Sequence, residues 1–571
     1  MKRRPEALSQ ELFDLVVIGG GMHGAACALD AAQRGLKVAL LERGDFCGAT
    51  SANSFKVVHG GMRYLQHADV ARLRGSARAR RAYLKIAPHL VRPLPILVPT
   101  YGRLGLKSKF ALRTAFALYD ALTPDRNRGI SDPARKIPPG SFLSAREFKD
   151  LHPELATEAL TGAGIFHDGQ FINPPRLVLA FVRSAAALGA VIVNHMSAME
   201  LHRDGNAVTG VGAVDQITGQ KWDIRTRWVV NAAGPYAEAL LKDTLDIDLD
   251  PPGTYSRDAW FMVNRPLVGE RQAVTVPGRS RDGDALASRG ARHLFLVPWR
   301  GATLIGVWHK VYNGPPDDYT VTEEELKGWL DEVNEAYPSL SLKVEDVSRT
   351  HAGLVPFAHD GGNGSTLQFA HRSRFIDHAD TQGVDGLTTV IGVRMTSAVP
   401  DAIEIVDLVQ KRLQGRATDS VLERSALYGG DFDTFDTLLK EAVQRVPSHL
   451  SHHALEALVT SHGTAYTEVI DLIKAGSDGA EFLHGTHVLE AEIIQAVRNE
   501  MATTLTDVVF RRTVLCATAP PSDAALNRTA EIMAMELGWD STRTRAEVAA
   551  VWECLAQPLS GRLLLAQVDS R

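Results

Sequence analysis

Long hydrophobic runs are missing from this sequence of 571 residues. No stretch approaches the roughly 18 to 20 consecutive apolar residues that a membrane-spanning helix needs. The segment Met1–Glu11 has basic residues but no apolar run behind them, so we expect no signal peptide. Any contact with a membrane is therefore expected to be peripheral.

Cysteine is scarce, and its four copies, Cys27, Cys47, Cys516 and Cys554, are scattered along the chain. Their spacing matches neither a metal-binding motif nor a disulfide framework. We therefore predict no metal site, and we expect a reducing, cytoplasmic compartment.

A strong excess of one charge is absent as well. The formal net charge is −5, which is too small to favour a polyanionic partner, so we expect no nucleic-acid ligand. The charge is nevertheless uneven, because basic residues greatly outnumber acidic ones between Arg63 and Arg128. Two interpretations stay open: a solvated helix face beside an anionic cofactor, or a surface that rests on anionic lipid headgroups at the inner face of a membrane.

The composition that is present, 45% apolar and 23% charged residues, is typical of a globular protein. The length predicts two or three domains. Apolar patterning predicts strands at 13–18 and 37–41 around a helix at 22–34, and an antiparallel hairpin at 293–297 and 303–307. After residue 413 the pattern is helical with little strand signal, which predicts a separate helical C-terminal domain.

A glycine-rich segment joins the first predicted strand to the first helix. In Gly19-Gly20-Gly21-Met22-His23-Gly24, the residues Gly19, Gly21 and Gly24 occupy the three glycine positions of the G-x-G-x-x-G pattern. The first glycine permits a tight turn, the second lets the backbone approach a pyrophosphate, and the third allows close helix–strand packing. The N-terminus of the following helix favours negative charge.

The end of the second predicted strand supports the same interpretation. Glu42 follows the glycines by about twenty residues, where a carboxylate can accept the hydroxyls of a ribose. We therefore predict a Rossmann-type dinucleotide site, with Met22, His23 and Arg43 among its contacts.

Two later segments favour FAD over NAD as the dinucleotide. Residues 228–235, Trp-Val-Val-Asn-Ala-Ala-Gly-Pro, resemble the second FAD-contact strand of the amino-acid-oxidase-like flavoenzymes, and residues 386–397 resemble their last strand-to-helix turn. In those enzymes this turn places a helix N-terminus under the flavin ring. A single NAD domain needs neither segment. The resemblance implies FAD contacts at Ala232, Gly234, Gly392, Met395 and Thr396.

The segment between these motifs resembles one family in particular. Residues 56–65, Lys-Val-Val-His-Gly-Gly-Met-Arg-Tyr-Leu, are similar to the K-[LI]-[IV]-H-G-G-[LM]-R-Y-L segment of the FAD-dependent glycerol-3-phosphate dehydrogenases, and residues 492–512 resemble that family's helical cap. The resemblance implies an α/β fold: a Rossmann-type FAD-binding domain, an antiparallel-sheet substrate domain and an all-helical C-terminal domain. It also implies FAD contacts at Thr50, Ser51, His59, Gly60 and Gly61.

Domain boundaries follow from these assignments. The FAD-binding domain is predicted to be discontinuous, over residues 12–95, 155–250 and 345–412. The remaining ranges are 96–154 and 251–344 for the substrate domain and 416–571 for the cap domain.

The family resemblance further implies an activity, the oxidation of the secondary alcohol of sn-glycerol 3-phosphate to dihydroxyacetone phosphate. Hydride leaves the carbinol carbon for FAD while a base takes the hydroxyl proton, and the electrons pass on to quinone or to oxygen. Whether the chain is a dehydrogenase or an oxidase stays open, as does assembly into a homo-oligomer.

Three substrate-side segments depart from the family pattern. The chain has Gly-Leu-Val-Pro-Phe at 353–357 where G-[VL]-R-P-L is usual, Gly-Val-Arg-Met-Thr-Ser at 392–397 for G-G-K-[LI]-T-T, and Ile-Gly-Val-Trp-His at 305–309 for I-G-T-T-D. Val355 stands where the family pattern has its arginine. The loss of that arginine matters because a guanidinium group binds phosphate through two parallel hydrogen bonds. An alternative is therefore the same flavin chemistry on a different phosphorylated polyol or anionic hydroxy compound, and a third hypothesis is a non-catalytic flavoprotein.

The candidate catalytic bases are His59, His351 and His309, since a group that titrates near neutral pH suits proton abstraction. His59 has a second interpretation, a hydrogen bond within its glycine loop or to the cofactor. His309 stands where the family has an aspartate.

The candidate substrate ligands are the cations Lys56, Arg63, Arg372 and Arg394. Arg394 replaces a family lysine and is expected on the turn beside the flavin. Arg372 lies where the family carries another phosphate-side arginine, with a surface ion pair as the alternative. Arg63 is either a substrate ligand or an anchor of the active-site loop.

Overall fold

The structure, a computed structural model, describes residues 1–102, 108–155, 157–249, 254–281, 291–359, 368–369, 372–446, 450–474 and 480–556. Its strands are numbered here in chain order, β1 to β19, and its helices α1 to α17. The strands form two large sheets and one small sheet, and the helices of the C-terminal part form their own clusters.

The first sheet is parallel apart from one edge strand. Its order is β18-β19-β11-β1-β2-β7, and only β18 runs antiparallel to its neighbour. Every residue of β1, β2 and β11 is buried, as expected for strands covered on both faces. The strands are β1 (Leu15–Ile18), β2 (Val38–Leu41), β7 (Val191–Val193), β11 (Val229–Asn231), β18 (Arg374–Asp377) and β19 (Leu387–Ile391).

Helices cover one face of this parallel sheet, and a small antiparallel sheet covers the other. The alanine-rich helix α1 packs against α6 and α10, because small side chains allow close approach. On the other face lie β8 (Met196–Asp204), β9 (Ala207–Asp215) and β10 (Lys221–Arg225). The predicted strand–helix–strand unit at the N-terminus is therefore confirmed, with α1 at Met22–Gln33.

The second large sheet is mostly antiparallel. Its order is β17-β16-β12-β15-β14-β13-β4-β6-β3, and β5 pairs with β6. The predicted hairpin is confirmed as β14 and β15. The strands are β3 (Val57–Val58), β4 (Val91–Tyr101), β5 (Ser141–Ser144), β6 (Leu160–Phe171), β12 (Tyr255–Val263), β13 (Ala273–Arg281), β14 (Ala291–Trp299), β15 (Ala302–Tyr312), β16 (Val347–His359) and β17 (Gln368–Phe369).

The remaining helices of the first 414 residues connect and cover these sheets. Helix α8 lies over the antiparallel sheet, where Trp329 and Leu330 join its apolar core. The helices are α2 (Ala49–Ala52), α3 (Val70–Ile86), α4 (Lys109–Leu122), α5 (Ala145–Leu151), α6 (Pro174–Ala187), α7 (Ala237–Leu245), α8 (Glu323–Ala336), α9 (His378–Thr381) and α10 (Ala398–Gln414).

The chain after α10 is helical, as predicted, and it contains two apolar clusters. No named strand lies between residues 416 and 556 in the parts that the structure describes. Its helices are α11 (Phe435–Arg445), α12 (His452–His462), α13 (Tyr466–Lys474), α14 (Glu490–Glu500), α15 (Leu505–Asp507), α16 (Asp523–Leu537) and α17 (Ser541–Ala556), with a π-helical turn at Val508–Arg512.

The predicted domain ranges cut across the second sheet. Strands β3 and β6 lie in ranges assigned to the FAD-binding domain, yet they pair with each other, and β6 pairs with β4, in the antiparallel sheet. The sheet forms by pairing between segments far apart in sequence, so local patterning does not reveal which sheet such a strand joins. The ranges stay a prediction.

Buried ion pairs join the helical C-terminal part to α6. Glu500 accepts hydrogen bonds from Arg176 Nη1 at 2.6 Å and from Arg183 Nη1 at 3.0 Å, and all three side chains are almost fully buried. A second link uses Arg512, whose Nη2 donates to Asp45 Oδ1 at 2.7 Å. These pairs hold the C-terminal helices against α6 and against the loop that follows β2.

Replacement of Glu500 by glutamine should destabilise the protein. Removing one member of a buried pair leaves the other charges uncompensated and costs about 3–5 kcal/mol. We expect a lower midpoint of thermal unfolding by circular dichroism. Glu536→Gln is the control, because its partner Arg498 is half exposed and exposed pairs contribute about 1 kcal/mol or less. Equal midpoints for the two variants would contradict this account of the interface.

Among the described residues, no helix combines the length and the apolar character needed to cross a membrane.

Candidate functional site

A cavity of about 1890 Å³ lies between the two large sheets. Its wall includes the loop after β1, the end of β2, the turn after β19, and residues of β12, β15 and β16. Several residues between 506 and 517 of the C-terminal part, Arg511 among them, also line it. The carboxyl ends of parallel strands are the usual place for a ligand in such a sheet, so this cavity is the candidate site.

The glycine loop has the shape that a dinucleotide requires. A Cβ added to Gly24 would lie 1.9 Å from the carbonyl oxygen of Gly19, so helix α1 can pack this closely only with glycine there. Gly19 itself has φ +106°, and a Cβ on it would lie 2.5 Å from the oxygen of Ala232. Gly21 and Met22 face the cavity, and Ser51 Oγ accepts a hydrogen bond from the Met22 amide at 3.1 Å. The loop therefore fits a diphosphate at the N-terminus of α1.

Glu42 is held at the end of β2 by two backbone amides. Its carboxylate accepts from Gly20 N at 2.6 Å and from Gly44 N at 2.9 Å, and it lines the cavity. Burial raises the pKa of Glu42, and the two amide donors act against that effect. Arg43 also lines the cavity, and its guanidinium lies 3.7 Å from the centre of the Tyr236 ring.

The turn after β19 leads into helix α10, as the sequence predicts. Gly392, Met395 and Thr396 line the cavity at the N-terminus of this helix. A Cβ on Gly392 would lie 2.4 Å from the ring of His23, whose Nε2 is 3.0 Å from Asp401 Oδ2. His23 therefore ties helix α1 to the first turn of α10. Ala232 and Gly234, after β11, complete this side of the cavity.

His59 faces the cavity with a buried carboxylate behind it. Its Nδ1 lies 3.5 Å from Asp168 Oδ2, and the side chain of His59 is 50% exposed whereas that of Asp168 is 6% exposed. Asp168 is fixed by the Gly60 amide at 2.6 Å and by the guanidinium of Arg80. A histidine oriented by a carboxylate is the arrangement of a general base.

The glycines beside His59 fix its loop. A Cβ on Gly60 would lie 2.0 Å from Arg80 Nη1, and Gly61 has φ +88° with backbone of Leu73 2.9 Å from where its Cβ would be. Gly61 lines the cavity. Thr50, at the other end of this segment, donates its hydroxyl to the carbonyl of Leu354 at 3.0 Å and so joins α2 to β16.

His351 is buried in the wall of the cavity. Its ring is stacked on Trp260 with 4.0 Å between centroids, and its Nδ1 lies 2.9 Å from Asn53 Oδ1. Since an amide oxygen only accepts, Nδ1 carries the hydrogen and Nε2 keeps its lone pair. Burial holds the pKa of His351 well below its usual range, with nearby positive charges acting in the same direction, so the ring is neutral at pH 7.

His309 lies on β15 with Asp258 beside it. Its Nδ1 is 2.8 Å from Asp258 Oδ1, and both residues line the cavity. Trp308 points away from this wall and stacks on Trp329 of α8 with 4.7 Å between ring centroids. All three candidate histidines therefore border one cavity, in different surroundings.

The predicted substrate cations divide into two groups. Lys56, Arg63 and Arg394 line the cavity, and Arg394 donates to the hydroxyl of Tyr64. Arg372 is exposed and is not among the residues that line the cavity. Its role as a phosphate ligand stays a prediction that the position of its side chain does not favour.

Four residues of the site escape the sequence reasoning. Asp168 is the carboxylate behind His59, and Arg300, Arg349 and Arg511 add positive charge to the cavity wall. The sequence pattern could have indicated Arg349, because it lies two residues before His351 on β16 and therefore faces the same side of the sheet. The others come from segments whose proximity only the fold determines.

Comparisons with known proteins agree with this geometry. Residues 14–394 match the family model described as FAD dependent oxidoreductase, and residues 420–544 match the C-terminal domain of alpha-glycerophosphate oxidase. The chain is 28% identical to the glycerol-3-phosphate dehydrogenase of Synechocystis, over 98% of each sequence. It is 31% identical to the mitochondrial glycerol-3-phosphate dehydrogenase of Mus musculus, over 96% of this chain and 73% of that protein.

A solved structure shows the same architecture. The glycerol-3-phosphate dehydrogenase from Bacillus halodurans complexed with FAD superposes with a TM-score of 0.75 at 25% identity, over 97% of both chains. The glycine loop, Glu42 and the turn before α10 all fit FAD, which is the cofactor of this chain. The protein is thus a member of the FAD-dependent oxidoreductase family and, within it, of the glycerol-3-phosphate dehydrogenases.

Proposed function

We propose that the protein oxidises sn-glycerol 3-phosphate to dihydroxyacetone phosphate and passes the electrons on to quinone or another acceptor. The observation that carries this proposal is the pair His59 and Asp168, which opens into the same cavity as the dinucleotide loop. Buried cations in the cavity wall suit a phosphorylated substrate. The related proteins named glycerol-3-phosphate dehydrogenase support the same substrate.

The side chains have distinct roles in this reaction. FAD, when bound, supplies the acceptor for the hydride that leaves the carbinol carbon. His59 takes the hydroxyl proton on its Nε2, and the carbon–oxygen single bond becomes the double bond of the ketone. Asp168 orients the His59 ring, while Arg80 and the Gly60 amide hold Asp168 in place.

Identification of the product tests the proposed reaction. Purified holoenzyme is incubated with sn-glycerol 3-phosphate and an artificial electron acceptor, and the mixture is assayed for dihydroxyacetone phosphate. One ketone formed for each two electrons accepted is the expected result. The rates of electron transfer to a quinone analogue and to oxygen, measured in parallel, identify the faster acceptor. Acceptor reduction without a ketone product would contradict the proposal.

A second candidate is the same chemistry on a longer polyol phosphate or another anionic alcohol. The observation in its favour is the cavity wall itself, where Val355 and His309 replace the arginine and aspartate of the family pattern. Comparison of kcat/KM for sn-glycerol 3-phosphate with that for longer polyol phosphates decides between the two. A higher value for a longer substrate would favour the second candidate.

The pH dependence of substrate affinity should report on Lys56. Burial lowers the pKa of Lys56 to about 7, with Arg349 and Arg300 acting in the same direction. Its ammonium is therefore charged below pH 7 and loses its proton above it, so KM for a phosphorylated substrate should rise by up to about tenfold per pH unit above neutrality. Lys56→Arg keeps the charge at all these pH values and should flatten the profile. A wild-type KM that is constant from pH 6 to 8.5 would contradict this assignment.

We further propose a cytoplasmic protein that binds the membrane peripherally through helix α4. Phe110 and Leu118 are large apolar side chains exposed on this helix, and Lys109 and Arg113 are exposed beside them. Such a surface suits a bilayer with anionic headgroups. We expect the protein to co-sediment with anionic vesicles and only weakly with neutral ones. The substitution Phe110→Ser should abolish this co-sedimentation. Equal binding to both vesicle types would contradict the electrostatic part.

A further inference from the structure

One wall of the cavity carries cations that form no ion pair within the described part of the chain. Lys56, Arg300, Arg349 and Arg511 all line it, and none of them forms a salt bridge with a described residue. The other buried arginines of the interface are paired, as Arg176 is with Glu500. Lys56 is buried and the three arginines are half-buried. Charge that is withdrawn from water in this way is costly unless a partner is bound. The wall is therefore built to receive an anion.

Shared aromatic contacts and neighbouring positions connect these cations to one part of the cavity wall. The Lys56 ammonium lies 4.2 Å from the centre of the Trp260 ring and 4.6 Å from that of Trp299, without a hydrogen-bond partner among the described residues. His351 stacks on the same Trp260. Arg300 follows Trp299 directly, and Arg349 shares a face of β16 with His351. The rings thus hold Lys56 between the segments that carry the arginines.

Several polar atoms of this cluster are buried without a partner. They are the donors Nε and Nη2 of Arg300 and Nε of Arg349. His351 Nε2 is also buried without a hydrogen bond, but it is an acceptor and does not bind a phosphate oxygen. Buried polar atoms are almost always hydrogen-bonded in folded proteins. A phosphate offers several acceptor oxygens at once, and guanidinium groups match its geometry.

The charges also act on one another. Arg349 and Arg300 lower the pKa of Lys56, and burial lowers the pKa of Arg300 to about 10. The positive charge of Arg511 contributes to lowering the pKa of His351. An anion in the cluster would remove this mutual repulsion.

The C-terminal part contributes directly to the cluster. Arg511 lies in the π-helical turn Val508–Arg512, and such turns are frequent at functional sites. The next residue, Arg512, bonds Asp45 and fixes the turn against the loop after β2. Arg349 donates from Nη1 to the carbonyl of Cys516 at 2.6 Å, which joins β16 to the same segment.

The cluster lies away from the position where the family pattern has its arginine. That position is Val355, on the same face of β16 as Arg349 and six residues further along. At about 3.3 Å per residue, the two positions are separated by about 20 Å along the strand. The cation at Arg349 therefore lies at a different part of β16 from the arginine of the family pattern.

We propose that Lys56, Arg300, Arg349 and Arg511 form the subsite that binds the phosphate of the substrate, and that Arg511 of the C-terminal part determines specificity for phosphorylated alcohols. This inference rests on the proposed function, because it assigns the anionic end of that substrate. The ligand class is a phosphomonoester of a small polyol. The helical C-terminal part is then a component of the substrate site and not only a cap.

The test uses the holoenzyme variants Arg511→Gln and Arg349→Gln, with Arg545→Gln as the matched control. Arg545 is exposed on α17 and does not line the cavity. The measurements are KM and kcat for sn-glycerol 3-phosphate, the Kd of inorganic phosphate by calorimetry, and the FAD content. Removal of one charged contact should raise KM and the phosphate Kd by about ten- to hundredfold, with FAD content unchanged. Arg545→Gln should match the wild type.

The outcomes separate this inference from the proposed function. If the wild type oxidises glycerol 3-phosphate and both variants keep its KM, the subsite is wrong and the function stands. If glycerol 3-phosphate is not oxidised but phosphate binds the wild type and not the variants, the subsite stands and the substrate is wrong. Loss of FAD from the variants, with unchanged KM for the fraction that retains it, would assign the cluster to the diphosphate of the cofactor and overturn the inference.

Discussion

Replacement of His59 by glutamine is expected to slow substrate-driven reduction of the bound flavin by about a hundredfold to ten-thousandfold, the usual contribution of a general base. Glutamine preserves the size and a hydrogen-bond donor but cannot take a proton near neutral pH. His59 faces the cavity with Asp168 at 3.5 Å behind it, so its loss removes the acceptor of the hydroxyl proton. The measurement is the rate of flavin bleaching after anaerobic mixing with substrate.

Two comparisons make the His59 result specific. The variant must retain FAD, since loss of cofactor would indicate the alternative role of His59 as a cofactor contact. His309→Gln is the matched control, because His309 also pairs with a carboxylate at the cavity wall. A His59→Gln variant with bound FAD and the wild-type rate, or a larger loss in His309→Gln, would show that the base is another residue. Asp168→Asn should give a smaller loss in the same direction.

Replacement of Gly24 by alanine is expected to abolish FAD binding. The added Cβ would lie 1.9 Å from the carbonyl oxygen of Gly19, and it would meet backbone, which cannot rotate away. Helix α1 must then move from the loop, and the amides that face the diphosphate lose their positions. The ratio of flavin to protein after purification should fall to near zero.

Gly75→Ala is the control for this substitution. Gly75 lies in helix α3, and a Cβ there has no heavy atom within 4 Å, so the change should leave the flavin content unaltered. Circular dichroism of the Gly24 variant separates a local effect from unfolding. A Gly24→Ala protein that keeps its full flavin content would contradict the geometry of the loop described above.

The sequence carries most of the information on the cofactor side because backbone geometry limits the residues allowed there. Gly19 has a positive φ, Gly24 packs against backbone, and Glu42 ends a strand at a fixed distance along the chain. These requirements are local, so a motif of a few residues records them. The strand and helix predictions around the loop are correct for the same reason, since each element has a clear apolar period.

The substrate side was less accessible to sequence reasoning. Its charges come from β16, from the hairpin between β14 and β15, and from a turn about 150 residues beyond β16. Arg511 and Arg512 are adjacent, yet one lines the cavity and the other pairs with Asp45. Only the fold distinguishes them. Asp168, likewise, lies behind His59 because β3 pairs with β6.

The structure also shows where the departures from the family pattern change the charge of the cavity wall. Val355 removes a cation from one end of β16, and Arg349 supplies one near the other end. Arg372 was predicted as a substrate ligand because the family carries another phosphate-side arginine in that segment, but its side chain is exposed and does not line the cavity. Of these two positions on β16, the one that carries a cation at the cavity wall in this chain is therefore Arg349.

The central claim is tested most directly by anaerobic stopped-flow mixing of the holoenzyme with sn-glycerol 3-phosphate while the yellow flavin band is monitored. We predict saturable bleaching with this substrate and none with glycerol, which lacks the phosphate that the buried cations bind. Bleaching by a chemical reductant confirms that the flavin is competent. No bleaching by glycerol 3-phosphate, or equal bleaching by glycerol, would contradict the account of a phosphorylated alcohol oxidised at this site.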